Sequence, residues 1–94
     1  MPGIVRLGDY CSGHDGYPPR PNDEASVNVF VNSKGVHRVG DHWPQHCDDD
    51  CHPGFASTGS STVFVNSKAV CRIGDLVSCG STMAQGSTDT FSGD

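Results

Sequence analysis

The chain has 94 residues and a formal charge of −5, which leaves room for one domain and no basic face to displace counterions from a nucleic acid. Ten valines and four phenylalanines outnumber two leucines and two isoleucines, and twelve glycines and six prolines interrupt the chain every few residues. No window carries a helical i, i+3, i+4, i+7 apolar stripe, and no apolar run approaches the roughly 20 residues of a membrane span.

Valine favours strands, so the composition predicts an all-β domain of short hairpins with little or no helix and a thin core. The opening residues, "MPGIVRLGD", lack signal-peptide architecture, which points to folding in a reducing cytosol. A small, thin-cored domain usually carries a staple, either disulfides or a structural metal. Five cysteines would leave one unpaired, and five histidines accompany them, so metal is the favoured staple. A disulfide between Cys47 and Cys51, or one involving Cys11, formed after export, is the alternative.

In chain order, the first recognisable element is "IVRLGD", ending in Arg6-Leu7-Gly8-Asp9. Residues 28–41, "NVFVNSKGVHRVGD", then match residues 62–75, "TVFVNSKAVCRIGD", with ten identities in fourteen positions. Each reads as a strand around Phe30 or Phe64, a turn at Asn32 or Asn66, a second strand, and Arg-x-Gly-Asp. The phenylalanines should point opposite to their flanking valines. The last stretch, "GSTDTFSGD", aligns Gly86, Ser87 and Phe91 with Gly59, Ser60 and Phe64. A third unit is therefore split, its front half at the C-terminus and its back half at the N-terminus. If the ends meet, three units close into a pseudo-threefold ring, which also hides sheet edges. Gly8, Gly40 and Gly74 are expected at positive φ. Asp9, Asp41 and Asp75 should accept from nearby backbone N–H groups, and Arg6, Arg38 and Arg72 should pair with those aspartates or with a neighbouring unit.

Each Arg-x-Gly-Asp is followed by a metal-capable side chain: His14 and His46 five residues on, and Cys79 four residues on. With His52 they make three His and one Cys, a tetrahedral set suited to structural Zn²⁺. His46 and His52 end the near-palindrome "HCDDDCH". The rival is a local site built from that segment alone, with Cys47, Cys51 and the adjacent histidines. His37 and His42 fall outside the threefold pattern and read as packed or half-exposed positions. Asp48, Asp49 and Asp50 read as a solvated turn. A filled four-ligand site leaves no place for a catalytic water, so the chain does not read as an enzyme.

The combination of "GH" at 13–14, "PPRPN" at 18–22, "VFVNSK" twice, "HRVGD", "CH" at 51–52, "RIGD" and "VSCGS" at 77–81 resembles the PAAR-repeat family across residues 1–94. The naming tetrapeptide appears here as "GVHR" and "AVCR". The resemblance implies a single pseudo-threefold cone that caps a trimeric β-helical spike, one copy per trimer, and touches a target membrane transiently. It implies a zinc ion near the vertex held by His14, His46, His52 and Cys79. The host would be a contractile phage tail, with the protein at the virion tail tip. Alternatively it would be a type VI secretion system, with the protein made in the cytoplasm and exported on the needle. Ending at Asp94, it would act as a bare tip with no toxin extension. A stand-alone zinc-binding interaction module is the alternative reading.

Overall fold

The computed structural model describes residues 1–93. Among them there is no helix, and six strands form three antiparallel hairpins. β1 (Phe30–Val31) pairs with β2 (Lys34–Gly35), and β5 (Phe64–Val65) pairs with β6 (Lys68–Ala69) in the same register. Both turn on a two-residue Asn-Ser loop, with φ of 53° and 65° at Asn32 and Ser33 and of 54° and 66° at Asn66 and Ser67. Two successive positive φ values give the turn whose twist suits a tight hairpin, and asparagine tolerates that region better than most residues. The third hairpin, β3 (His42–Asp48) with β4 (Asp50–Phe55), is longer and carries a register shift between Trp43 and His46.

The two chain ends meet. Gly3 pairs with Phe91, and the Ile4 amide donates to the Thr90 carbonyl at 3.0 Å. This junction repeats the bonds inside the intact units, where the Val36 and Val70 amides donate to the carbonyls of Val29 and Val63. Ser26, Ser60 and Ser87 do the same job three times. Each hydroxyl accepts from the amides two and three residues later, which holds the front of each unit in a tight turn.

The three units then close on one another. The Val5 amide donates to the Cys71 carbonyl, the Cys71 amide to His37, and the His37 amide back to Val5, at 2.9, 3.0 and 3.0 Å. A second cycle lies beside it: Leu7 donates to Gly35, Val39 to Ala69, and Ile73 to Gly3. Every bond in these cycles joins different units, so the ring has no free edge along them. Val5, His37 and Cys71 are fully buried. On one side of this layer lie Ile4, Val36 and Val70, with Val31 and Val65 against them. On the other side lie Cys11, Trp43 and Val77 with Ala56 and Met83, extended by the half-buried Cys79.

An Arg–Asp clamp locks each unit. The Arg6, Arg38 and Arg72 side chains each donate twice to the aspartate three residues on, and their own backbone amides donate to the same carboxylates. Gly8, Gly40 and Gly74 make the intervening turn, at φ of 86°, 92° and 97°. The remaining guanidinium nitrogen reaches the next unit: Arg6 to Asn32, Arg38 to Asn66, and Arg72 to the Gly93 carbonyl. Where the split unit has no Asn-Ser turn, the Gly93 carbonyl is the acceptor instead. Phe30, Phe64 and Phe91 stand outside the ring at 58%, 58% and 45% exposure. Val31 and Val65 turn inward, the alternation that the pleat requires, whereas Val29 and Val63, which precede the paired residues, stay exposed like the phenylalanines.

Asp41 is fully buried and Arg38 nearly so. Asp41→Ala would leave the Arg38 amide, Nε and Nη2 without their acceptor, with Nη1 still held by Asn66, and chemical denaturation should show a loss of about 3–5 kcal/mol. His37 gives a second test. Burial holds its pKa below the ordinary histidine value, against the pull of the Glu24 carbonyl and the Asp41 carboxylate and with a further push from Arg38. The unfolded chain therefore binds a proton that the folded chain resists. This contribution is complete above about pH 6.5 and is lost as pH falls toward the folded pKa. His37→Val places in this unit the residue found at Val5. Denaturation across pH 5–8 should show a weaker loss of stability on acidification in that variant than in the wild type.

Candidate metal centre

Three excursions rise from the ring, one after each Arg-x-Gly-Asp, and each is closed by an amide that donates back to the aspartate carbonyl. Asn22 closes on Asp9, Ala56 on Asp41, and Met83 on Asp75, at 3.0, 2.9 and 2.8 Å. The first excursion turns at Asp15-Gly16, with φ of 45° and 87°, and His14 pairs with Tyr17 across the turn. The second is the β3–β4 hairpin, where His46 lies directly opposite His52. The third is a short turn in which the Val77 amide donates to Ser81, the Gly80 amide to Val77, and Gly80 at φ 109° lets the chain reverse beside Cys79. Together they deliver His14, His46, His52 and Cys79 to one place, their ligand atoms all within 4.8 Å of one another.

The ring nitrogens face inward. His46 Nε2 lies 2.7 Å from His52 Nε2, which lies 3.0 Å from His14 Nε2, and Cys79 Sγ is 3.9 Å from His46 Nε2. The tautomer of His46 follows from its other nitrogen. Nδ1 is 2.8 Å from the Pro18 carbonyl, which can only accept, so Nδ1 carries the proton and the neutral ring turns a lone pair toward the centre. A single proton on His52 Nε2 would have to serve two neighbours, whereas a cation takes all three lone pairs at once. Burial lowers the pKa of His46, aided by Arg20 and the other two rings and opposed by the Pro18 carbonyl. Loss of hydration, His14 and Arg20 lower that of His52. Both shifts favour the neutral imidazole, the form that ligates a metal.

The surroundings support such a centre. Arg20, 5% exposed, donates to Cys79 Sγ at 3.5 Å and to Cys11 Sγ at 3.2 Å, holds the Pro44 carbonyl, and lies over the Trp43 ring. A fixed cation at the sulfur suits the negative charge of a thiolate ligand. Gly54 opens the space for these contacts. A Cβ there would come within 2.7 Å of Val77 and 3.4 Å of Cys79 Sγ. Tyr17 covers the histidines, its ring centroid 4.2 Å from that of His52 and 4.9 Å from those of His14 and His46. Three imidazoles and one thiol converging in this way can hold a metal ion.

A family model described as the PAAR motif matches residues 21–85. The chain belongs to the PAAR-motif family. Curated proteins include no match to it. The family is one of spike-tip components of contractile injection systems, structural rather than enzymatic in kind.

This PAAR chain departs from the sequence reading in its cysteines. Metal was the favoured staple over disulfides, but Cys47 and Cys51 are joined to each other. They are cross-strand partners one step beyond the His46–His52 pair, and Asp49 at φ 67° supplies the reversal between them. Their sulfurs are thereby used, so the palindrome does not form a local metal site. Cys11 and Cys71 are free thiols packed in the core. His37 and His42 stay away from the cluster. His37 is sealed in the ring, and His42 meets Asp23 at 2.7 Å. Asp48, Asp49 and Asp50 are exposed at the hairpin tip. Sequence reasoning overlooked Arg20 and Tyr17. Asp15-Gly16 between Gly13-His14 and Tyr17 was a readable hairpin signal for Tyr17. Arg20 has no counterpart in the other units and gave none.

Elemental analysis of the purified chain should find one metal ion per molecule, and a His14→Ala, Cys79→Ser double variant should retain almost none. Both residues lie far from "HCDDDCH" in sequence, so metal kept by that variant would mean that the hairpin binds it alone.

Proposed function

We propose that this chain caps the blunt end of a homotrimeric β-helical spike in a contractile injection system, one copy per trimer, as its sharpened end. The supporting observation is the threefold repetition of exposed side chains. Ring closure requires equivalent backbone and buried residues, but it does not require Phe30, Phe64 and Phe91 to be equivalent and exposed. A monomer with three like apolar anchors around one axis fits a partner that offers three identical pockets. These residues flank the layer of Ile4, Val36 and Val70, which lies on the opposite side of the ring layer from Cys79. Docking there would leave the His/Cys end pointing away from the spike.

The metal on this reading is Zn²⁺, because a closed set of three imidazoles and one thiolate is a structural zinc site. Bound zinc contributes about 10–16 kcal/mol of apparent free energy in small zinc domains, comparable to the whole stability of many domains. It would tie the three excursions together beyond the last apolar layer. A tip that touches a target membrane briefly needs such stiffness. Its acidic charge gives no reason for contact with nucleic acid. The protein would sit at the tail tip of a virion, or would be assembled in the bacterial cytoplasm and carried out on a type VI needle.

A Phe30→Ser, Phe64→Ser, Phe91→Ser variant should keep its metal and fold while losing affinity for the spike trimer encoded alongside it, by more than about 1 kcal/mol per ring. Calorimetry on the wild type should give one chain per trimer. No binding of the wild type to that trimer would sink the capping role and leave a stand-alone metal-binding module.

A further inference from the structure

We propose that the Cys47–Cys51 disulfide is a positioning element of the metal centre, so that metal retention depends on the redox state of that cysteine pair. The proposal rests on the metal reading above and adds to it a control that the four ligands do not themselves provide.

The argument starts from the hairpin register. The inner half of β3–β4 is fixed by His42 opposite Phe55 and Trp43 opposite Gly54. Three steps along β3 from Trp43 to His46 then face only two steps along β4 from Gly54 to His52, so the irregularity uncouples the outer half from the inner. A slip of one residue in the outer half would turn a histidine to the opposite face of the hairpin. Outside the His46–His52 pair only two residue positions remain on each side before the reversal at Asp49, and they do little to hold the register. Asp48 directly opposes Asp50, a like-charge pair that disfavours pairing, and Asp49 at the tip is in the left-handed region. The bond between Cys47 and Cys51 is thus the one covalent link in the outer half, and it fixes which residue faces which where only a short backbone ladder, the Pro18 carbonyl and Tyr17 otherwise hold the strands. Two of the four candidate ligands, His46 and His52, form the neighbouring cross-strand pair that it secures.

The pair is also placed to react. Cys47 and Cys51 are exposed, whereas Cys11 and Cys71 are buried and Cys79 is half-buried within the cluster. Exposed disulfides are the ones that exchange readily with small thiols. Closure needs a low-molecular-weight disulfide, RSSR, as oxidant. The Cys47 thiolate attacks one sulfur and expels RS⁻, giving a mixed disulfide. The Cys51 thiolate then attacks the Cys47 sulfur, expels the second RS⁻ and leaves the Cys47–Cys51 bond. Two electrons pass from the cysteine pair to RSSR, and the two cysteine protons end on two RSH molecules. The chain would be open while it sits in a reducing compartment and locked once it leaves. By linkage, the factor by which closure tightens metal binding is the factor by which bound metal favours closure.

The test is Zn²⁺ affinity by competition with a chromophoric chelator, on the full chain in three forms: oxidised, reduced with a phosphine that carries no thiol, and a Cys47→Ser, Cys51→Ser double variant. The reduced chain and the variant should each bind Zn²⁺ about 10- to 100-fold more weakly than the oxidised chain, the range seen when support for a ligand is removed. In glutathione redox buffers, saturating Zn²⁺ should make the midpoint of the pair more negative by about 30 mV for each tenfold of coupling. Equal affinity in all three forms would overturn the proposal and leave the metal centre intact. Tighter binding by the reduced chain but not by the serine variant would also overturn it, since the thiols would then be ligands themselves. No Zn²⁺ in any form, the oxidised chain included, would remove the metal reading and this proposal with it.

Discussion

The structure depends on a closed cycle of three backbone hydrogen bonds, from Val5 to Cys71, from Cys71 to His37, and from His37 back to Val5. Each bond spans two units, so no unit can form its inner edge without the other two. The split third unit follows from this. A ring with no free edge has to be closed somewhere, and here the seam falls inside a unit, where the Ile4–Thr90 and Ser87–Ile4 backbone bonds stand in for a hairpin turn. The Arg–Asp clamps complete the design. Each guanidinium is held by its own unit and reaches into the next, so the charges that would be costly to bury are satisfied by the contacts that set the angle between units.

The apolar core is arranged in thin layers along the same axis, and its residues change along that axis. Ile4, Val36 and Val70 are near-identical in kind. Val5, His37 and Cys71 are less alike, and Cys11, Trp43 and Val77 differ widely. The third excursion is short and the second long, so the volume each supplies at the top layer differs, and Trp43 fills what Cys11 and Val77 leave. Among the described residues Cys79 extends this layer, and the three histidines and Tyr17 take over beyond it. A metal ion is the natural cohesive element where the hydrophobic effect has run out of side chains.

Much of this was legible in the sequence because symmetry left copies to compare. The Asn32 and Asn66 turns, the positive φ of Gly8, Gly40 and Gly74, and the meeting of the termini all follow from aligning one unit on another. The comparison worked where the three units share a role and failed where one acts alone. Arg20 lies in a proline-rich segment of the first excursion only, so no alignment singled it out, although it contacts two cysteines. The Cys47–Cys51 bond was disfavoured by an argument from cysteine parity. That argument treats the cysteines as one population, whereas the fold divides them into a tip pair, two core thiols and one thiol at the cluster. The near-palindrome itself held the better clue. Residues placed symmetrically about Asp49 become cross-strand partners if the chain reverses there, and Cys47 and Cys51 are such a pair.

On the zinc reading proposed above, threefold symmetry and tetrahedral coordination are mismatched by one ligand. A strict threefold site would offer three equivalent side chains, which leaves an open position on a metal that prefers four donors. The second excursion meets that need by being a hairpin, whose outgoing strand carries His46 and whose returning strand carries His52 directly opposite. The extra ligand therefore requires the irregularity between Trp43 and His46, because two facing histidines must be brought onto the axis from a strand pair whose base is fixed by the ring. The same lengthening carries Cys47, Asp49 and Cys51 past the His46–His52 pair, where they are exposed. On that reading the asymmetric tip accompanies the fourth ligand, and the disulfide closes the tip. A chain that stayed closer to threefold would need neither, and would have no closed metal site.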